Sequence, residues 1–320
     1  MQAEKFGIYI LTYPGDFHLS YALIGSIRYL HPDVPICIIP GEGFDYQDHP
    51  FDVPILKVPD GYLAKLGYQY LCLWAFKGHF EKFLYLDADM LCLTSLQKLI
   101  DKIYSIQSPF FLSEQVIPKE QWDEIIGNPE HEQHVGMRAL TSRRIGNVQL
   151  LKELDPTYDP YRYFPFNSGI FASSAGAISD YDIESLFENI RAFYLSRLNR
   201  EFAWRDKELL RADQGLLNYL VNKLDIPHLS IRPEASTETG YYLDRIGLDD
   251  YLSKRGFPFN LIHYTGSIRP SPSFFCRYPL FRLIAITRRN HEAYESYKRL
   301  AEVPGYSIWS YFYDSKLTQI

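Results

Sequence analysis

The sequence lacks several features that would assign it to other classes of protein. No apolar run approaches the ~20 residues that a membrane-spanning helix needs. The N-terminus combines an acidic residue with only a brief apolar stretch, so we expect no signal peptide. The formal net charge is −6 over 320 residues, so no overall basic character marks a nucleic-acid-binding protein. Internal repeats are not evident either.

Cysteine is also scarce. There are four cysteines, Cys37, Cys72, Cys92 and Cys276, and no two of them form a C-x-x-C pair. Three lie in apolar patterns, which predicts buried, reduced thiols. This favours a reducing compartment, and hence a cytoplasmic location, over a secreted one.

What is present is typical of a large α/β domain. Hydrophobic residues make up 46% of the chain and aromatic residues 16%, enough for one sizeable core with additions. Apolar runs predict strands over residues 6–11, 34–39 and 53–58, and helical spacing predicts a helix over 17–30 with Asp16 as its N-cap. This β-α-β-β order indicates a parallel sheet covered by helices.

The central candidate is the short apolar run 83–86, which ends in Asp87-Ala88-Asp89. Two carboxylates at i and i+2 of an extended segment point the same way, and open α/β sheets bind ligands at the carboxyl ends of strands. A divalent cation would relieve their mutual repulsion, and Mg²⁺-type sites use one or two carboxylates with substrate phosphates. The alternative is an Asp-rich turn before a helix that Thr94 or Ser95 caps.

Three later segments carry polar residues in patterns that suit ligand binding. They are Asn167-Ser168-Gly169 before an apolar strand, Asp213-Gln214 in a helix predicted over 206–220, and the run from His263 through Gly266 to Arg269-Pro270. Glycine at a strand start permits close backbone approach. Each also has an ordinary structural interpretation: a β-bulge, a surface or N-capping acid, and a buried core histidine.

The string YLDADM and these three segments, in this order, resemble the retaining enzymes of glycosyltransferase family 8. The resemblance extends from about residue 6 to residue 270. It implies a GT-A fold, with a mainly parallel central sheet flanked by helices. It also implies transfer of a sugar from a nucleotide diphosphate sugar, with a UDP-sugar as the expected donor, to an acceptor hydroxyl with retention of configuration.

The resemblance further implies roles for individual residues. Metal ligands would be Asp87, Asp89 and His263, holding Mn²⁺ or, less favourably for an imidazole ligand, Mg²⁺. Donor-binding residues would be Leu11, Thr12, Tyr13, Lys65, Asp87, Ala88, Asp89, Asn167, Ser168, Gly266 and Arg269, with Lys77 an alternative to Lys65 in a helix predicted over 63–79. Gln214 and Asp213 would be the catalytic candidates. Arg269 stands where the family has lysine, and no tryptophan follows Pro270.

The predicted organisation is a GT-A domain over 1–270 and a basic, aromatic helical extension over 271–320. Within the first, the polar stretch 113–163 has weak periodicity and is predicted to be an insertion covering the acceptor site. It contains the basic pair Arg143-Arg144, and its His131 and His134 are expected to be exposed. The C-terminal helix either packs on the sheet or makes peripheral contact with an anionic membrane surface.

The expected partners are a nucleotide-sugar donor and a glycan, lipid-linked or protein acceptor, with no nucleic acid. Two other functions stay open. A nucleotidyltransferase acting on sugar phosphates usually needs a Gly-rich basic loop after its first strand, where this chain has TYPGDFHLSY. A non-catalytic membrane-surface module would not need Asp89, His263 and Arg269, which are all present.

Overall fold

The computed structural model describes residues 4–47, 49, 51–57, 68–92, 94–114, 117–201, 209–231, 234–235, 237–239 and 260–263. The described strands are β1 (Glu4–Thr12), β2 (Ile36–Pro40), β3 (Phe80–Asp87), β4 (Met90–Cys92), β5 (Phe111–Ser113), β6 (Ile170–Ser174), β7 (His228–Ser230), β8 (Thr237–Thr239) and β9 (Leu261–His263). The described α-helices are α1 (Phe17–Leu30), α2 (Gln97–Ser105), α3 (Lys119–Gly127), α4 (His134–Ile145), α5 (Val148–Leu154), α6 (Asp180–Arg197) and α7 (Ala212–Lys223).

Six strands form one sheet in the order β2-β1-β3-β6-β5-β7, and three short strands form another in the order β4-β9-β8. β1 pairs with β2 in parallel, as β5 does with β7, whereas β5 and β6 are antiparallel. The larger sheet is therefore mixed, with an antiparallel pair in an arrangement predicted to be mainly parallel.

The chain divides into two compact units. Unit 1 comprises the described residues within Met1–Phe6, Lys57–Tyr85 and Ile103–Arg232. Unit 2 comprises those within Gly7–Leu56, Leu86–Lys102 and Pro233–Ile320. The predicted boundary at residue 270 lies outside the described residues, as does the whole of 271–320, so the C-terminal extension stays a prediction.

Unit 2 begins with the predicted strand–helix–strand pattern. The helix α1 has the predicted bounds, and Leu19, Leu23 and Ile27 on its apolar face are buried. Asp16 occupies its N-cap position but makes no side-chain capping bond. Instead, a 3₁₀ turn over Pro14–Asp16 leads into the helix.

The strand predicted over 53–58 is wrong for the described residues 53–57. Among these, only Ile55 pairs, through a single parallel bridge to Ile38 of β2. Pro54 offers a carbonyl but no backbone N–H, so a second ladder bond from that residue cannot form. The prediction from the apolar pattern did not take this missing hydrogen-bond donor into account.

Aromatic rings fill the core of unit 1. Phe171 on β6 stacks on Tyr85 of β3 and on Phe111 of β5, with ring centroids 4.6 and 5.3 Å apart. Phe83 meets the same ring edge-on at 6.0 Å. Offset and edge-to-face pairs of this kind add about 0.5–1.5 kcal/mol each beyond area burial. This packing fixes β6, the strand that follows the polar segment Asn167-Ser168-Gly169.

The polar stretch 113–163 contains the helices α3, α4 and α5. His134 is buried rather than exposed, and its Nδ1 lies 2.9 Å from the carbonyl oxygen of Ile125. Trp122 is fully buried and donates from Nε1 to the carbonyl of Tyr161 at 2.6 Å. The periodicity was weak because each helix buries only a few residues and leaves the rest in solvent.

Two predicted helices differ from the structure. The described part of the helix predicted over 63–79 is a 3₁₀ helix, Tyr68–Lys77. The helix predicted over 206–220 begins later, at Ala212, and continues to Lys223. Residues 202–208 lie outside the described part of the chain.

Cys37, Cys72 and Cys92 are buried free thiols, as predicted, while Cys276 lies outside the described residues. Burial raises the pKa of the Cys92 thiol to about 12, so this sulfur stays protonated and is a poor nucleophile. Among the helices that the structure describes, none has the length and apolar character to cross a membrane.

His228, the first residue of β7, lies in an aromatic cage in unit 1. Its Nε2 is 2.6 Å from Ser113 Oγ, and the rings of Phe111, Tyr163 and Phe166 lie 5.6, 5.4 and 5.3 Å away between centroids. Part of the residue is exposed, but its Nδ1 is shielded from solvent. Burial lowers the pKa of His228 from 6.5 to about 4, because the imidazolium would lose its hydration.

This histidine should make the folded chain sensitive to mild acid. Between pH 6.5 and 4 the unfolded chain binds a proton at residue 228 that the folded chain excludes. The free energy of unfolding should therefore fall across this window by about 2–3 kcal/mol from this group. Urea unfolding at pH 7 and 4.5 should show a smaller loss for His228→Gln than for wild type. His131→Gln, a change outside the cage, should keep the wild-type loss, and an unchanged loss in His228→Gln would contradict the account.

Candidate functional site

Two carboxylates and an imidazole meet in unit 2 where β3 ends. Asp87 is the last residue of β3, Ala88 and Asp89 form the turn that follows, and β4 begins at Met90. Because β4 pairs antiparallel with β9, His263 lies opposite Met90. The imidazole is thereby brought beside a turn about 175 residues earlier in the chain by a main-chain ladder, which the sequence spacing alone does not reveal.

The distances are short. His263 Nε2 lies 3.3 Å from Asp89 Oδ1 and 3.9 Å from Asp87 Oδ2. One potential ligand atom from each of the three residues lies within 4.8 Å of the others. Asp89 is 3% exposed and His263 8%, whereas Asp87 is half-buried. The geometry corrects one expectation: Asp87 is in a strand, but Asp89 is in a turn, so the two do not alternate along one extended segment.

Helix α1 supports the segment that carries the carboxylates. The backbone N–H of Cys92 donates to Ser26 Oγ at 3.1 Å, and the N–H of Leu96 donates to His31 Nε2 at 2.7 Å. Burial lowers the pKa of His31, which keeps Nε2 available as an acceptor. These contacts anchor the chain just after the Asp87–Asp89 turn.

Asn260 holds the other end of the β4–β9 ladder. Its Nδ2 donates to Thr94 Oγ1 at 2.8 Å and to the carbonyl of Ser95 at 2.9 Å. Together with the ladder, these bonds fix His263 relative to the turn. Sequence reasoning did not identify Ser26, His31 or Asn260, because none belongs to a recognisable motif.

The three side chains fit a divalent cation. Ligands at about 2.1 Å around an octahedral cation lie about 3 Å apart when adjacent and about 4.2 Å apart when opposite. The observed 3.3 and 3.9 Å fall in that range. Two carboxylates also supply the negative charge that offsets the cost of burying a cation.

The residues predicted to hold the nucleoside lie at the end of β1, also in unit 2. Thr12 is buried and accepts a hydrogen bond from Ser20 Oγ on α1, while Leu11 and Tyr13 are half-buried. The Tyr13 ring covers Gly41, where an added Cβ would lie 2.3 Å from Tyr13 Cδ1. Glycine is therefore needed at position 41 for the ring to lie where it does.

The segment predicted to bind the sugar lies in unit 1. Ser168 Oγ donates to Asp213 Oδ2 at 2.9 Å, and Asn167 Oδ1 accepts from the N–H of Gly169 at 2.9 Å. Gln214 Nε2 donates to the carbonyl of Arg144 at 3.2 Å. The structure thus joins Ser168 and Asp213, residues that the sequence singled out separately, and orients the amide of Gln214.

Two further residues hold this segment, and the sequence did not assign them a role. Asn218 on α7 pairs with both backbone groups of Phe166, accepting from its N–H and donating to its carbonyl, each at 3.0 Å. Arg144 Nη1 donates to the carbonyl of Pro165 at 2.6 Å. Burial lowers the pKa of Arg144, although the nearby charge of Glu114 opposes this. The backbone before Asn167 is therefore fixed from two sides.

Three predicted donor-binding residues, Lys65, Gly266 and Arg269, lie outside the described residues. Lys77, the alternative to Lys65, forms an ion pair with Asp180 in unit 1. Its pKa is lowered mainly by burial, against the attraction of Glu184.

Comparison with known proteins supports the architecture. The galactosyltransferase LgtC, solved with donor and acceptor sugar analogues, is similar at a TM-score of 0.50 and 14% identity, over 88% of this chain and 95% of that chain. The bifunctional glycosyltransferase WbbM (TM-score 0.49, 16% identity, 93% and 52% covered) and mouse xyloside xylosyltransferase 1 (0.46, 10%, 84% and 100%) are also similar. No protein-family model and no curated protein sequence matches the chain. The mixed sheet flanked by helices, with its likeness to LgtC, shows that the chain has the GT-A fold.

Proposed function

We propose that the protein is a metal-dependent glycosyltransferase that moves a sugar from a nucleotide diphosphate sugar, with a UDP-sugar as the expected donor, to an acceptor hydroxyl. The observation that carries this proposal is the Asp87, Asp89 and His263 cluster at the end of β3 in a GT-A fold. The likeness to a galactosyltransferase solved with donor and acceptor sugar analogues supports the same reaction class.

Asp87, Asp89 and His263 would hold the cation, with Mn²⁺ favoured over Mg²⁺. When bound, the cation neutralises charge on the diphosphate leaving group. The protein's own contribution is a buried carboxylate and imidazole, Asp89 and His263, whose positions the β4–β9 ladder fixes before the donor arrives. Such preorganisation avoids reorganisation during the reaction.

The remaining roles follow the chemistry of each side chain. Leu11, Thr12 and Tyr13 would contact the base and ribose, with Tyr13 as a flat ring for stacking. Asn167 and Ser168 would bind the sugar hydroxyls. Gln214 would present its amide oxygen to positive charge at the anomeric carbon, because its nitrogen already donates to Arg144. Arg269, Gly266 and Lys65 are proposed to contact the donor phosphates.

The acceptor is proposed to be a glycan, a lipid-linked sugar or a protein hydroxyl. We propose that the stretch 113–163 lies on the acceptor side of the site. This stretch contains the three helices α3, α4 and α5.

Donor turnover tests the proposal. The full chain should release nucleoside diphosphate and free sugar slowly from one member of a panel of UDP-, GDP- and ADP-sugars, and faster with an acceptor. A chelator should stop the release and added Mn²⁺ should restore it. Release of nucleoside monophosphate or pyrophosphate would point to a nucleotidyltransferase instead, and full turnover in chelator would contradict the metal assignment.

A further inference from the structure

A pocket of about 670 Å³ opens on unit 1, within the range of about 300–1,000 Å³ typical of small-molecule sites. It lies between the end of α4, the turn before α5 and the residue that precedes α7. The residues that line it are Ser142, Arg143, Gly146, Asn147, Val148, Gln149 and Arg211. Two of these are cations and none is a carboxylate.

Close backbone contacts build the walls of this pocket. Gly146 pairs with Leu210 in an antiparallel bridge, and the N–H of Arg211 donates to the carbonyl of Ile145 at 2.9 Å. Gly146 has a φ of 137°, and a Cβ there would lie 2.1 Å from the carbonyl oxygen of Leu209. A Cβ on Gly215 would lie equally close to the carbonyl oxygen of Ile145. Glycine at both positions lets α4 end directly against the start of α7.

This contact brings Arg143 and Arg211 to one pocket from positions 68 residues apart. Both are exposed, and neither makes an ion pair or side-chain hydrogen bond with any residue that the structure describes. Every other described arginine of unit 1 has a carboxylate, carbonyl or aromatic partner. These are Arg138, Arg144, Arg162, Arg191, Arg197 and Arg200.

Two guanidinium groups that have no counter-charge among the described residues, on a wall formed by fixed backbone, suit an anion. Each can donate two parallel hydrogen bonds to a carboxylate or phosphate. The neutral side chains of Ser142 and Gln149 add hydrogen-bonding groups for sugar hydroxyls. Among the described residues that line the pocket, no carboxylate would repel the ligand.

The pocket adjoins the residues proposed to hold the donor sugar. Arg211 is followed two and three residues later by Asp213 and Gln214 in the first turn of α7. Gln214 in turn donates to the carbonyl of Arg144, the neighbour of Arg143. A ligand in the pocket therefore lies against the same short backbone segments that position Asp213 and Gln214.

We propose that this pocket binds an anionic substituent, a carboxylate or a phosphate, of the acceptor glycan. The enzyme would then favour acidic or phosphorylated acceptors over neutral ones. The identity of the ligand as an acceptor rests on the proposed glycosyltransferase function, whereas the anion site itself does not.

Binding of simple probes tests the site without any turnover. Glucuronate, glucose 6-phosphate, glucose and UDP are titrated into the full chain and followed by the NMR signals of the arginine side chains. We expect glucuronate or glucose 6-phosphate to shift the Arg143 and Arg211 signals while glucose does not. Whichever acid binds identifies the anion. The variants Arg143→Gln and Arg211→Gln should each weaken that binding about tenfold, in keeping with loss of a charge-assisted pair.

The control Arg191→Gln removes an exposed arginine of the same unit that is paired with Glu188, and it should bind the probes as wild type does. Equal affinity for glucose and both acids, or unchanged binding in Arg143→Gln and Arg211→Gln, would overturn the site. If UDP binds and these two variants weaken its binding as strongly as they weaken binding of the acid, the pocket is part of the donor site. That result would overturn the acceptor assignment.

Kinetics separate this inference from the proposed function. With a turnover-competent donor, Arg143→Gln and Arg211→Gln should raise KM about tenfold for an acidic acceptor, with little change for its neutral analogue. A similar loss for both acceptors would overturn the inference while leaving glycosyl transfer standing. Absence of turnover with every donor would refute the proposed function, and the probe titration would still decide whether the anion site exists.

Discussion

Replacement of Asp89 by asparagine should reduce donor turnover at least about a hundredfold, because it removes the buried negative charge of a proposed metal ligand without changing the size of the side chain. Charge stabilisation by a bound cation is worth several kcal/mol in such reactions, and each 1.4 kcal/mol is a tenfold change in rate. His263→Ala should have a comparable effect, since Nε2 of His263 lies 3.3 Å from Asp89 Oδ1. Turnover is measured as nucleoside diphosphate released in the presence of Mn²⁺.

The matched control is Asp101→Asn. Asp101 is an exposed carboxylate of unit 2 on α2 that accepts a hydrogen bond from Gln97, so its loss should leave turnover unchanged. Nucleotide affinity gives a second comparison: Asp89→Asn should weaken it only when Mn²⁺ is present. Equal weakening with and without metal would mean that Asp89 contacts the nucleotide directly and would refute its role as a ligand.

Transfer from an α-linked donor should give an α-linked product. An inverting enzyme needs a carboxylate base on the face opposite the leaving group, whereas the residue proposed at this face is the amide Gln214. Its nitrogen donates to the Arg144 carbonyl, so its oxygen is the group available to stabilise positive charge at the sugar. An amide oxygen is a poor base, and the departing diphosphate would take the acceptor proton. Proton NMR of the first product decides the configuration, and a β-linked product would contradict retention.

The variants at residue 214 should separate electrostatic support from covalent catalysis. Gln214→Ala should slow turnover about a hundredfold, with the configuration of the product unchanged. Gln214→Glu should be no better, because its carboxylate cannot donate to the Arg144 carbonyl and would face it as a second acceptor. Asp213 is the alternative nucleophile, and its Oδ2 accepts a hydrogen bond from Ser168. A glycosylated Asp213 detected by mass spectrometry would replace this account with a two-step route.

The elements that local patterns specify were predicted well. Helix α1 has a regular apolar stripe that is buried, and β3 contains the uninterrupted apolar run 83–86 between Lys82 and Asp87. Both depend on residues close in sequence, so periodicity identifies them. The strand over 53–58 failed because Pro54 removes one hydrogen-bond donor from a segment that otherwise looks apolar.

The sequence motifs predicted which three side chains would come together, but not the contacts that support them. Asp87, Asp89 and His263 belong to motifs, and the structure brings them together. Ser26, His31 and Asn260 support them through single hydrogen bonds from distant elements, and no sequence pattern marks such bonds. The turn at Asp89 agrees with the Asp-rich turn of the alternative interpretation, whereas the expected alternation along one extended segment stops at the end of β3.

The pocket that contains Arg143 and Arg211 also could not be predicted from sequence motifs. Arg143 was noticed as one of a basic pair, but Arg211 has no motif around it. They share a pocket because Gly146 and Gly215 allow backbone contact between α4 and the start of α7. Whether a position requires glycine for close backbone contact depends on which residue lies beside it in the fold. The sequence alone does not show that neighbour.

The most direct test of the metal centre is an electron paramagnetic resonance titration of Mn²⁺ into the full chain in the presence of UDP. We expect one bound Mn²⁺ per chain in the wild type and in Asp101→Asn, and loss of that binding in Asp89→Asn and His263→Ala. Mn²⁺ binding of equal stoichiometry and affinity in Asp89→Asn and wild type would contradict this expectation.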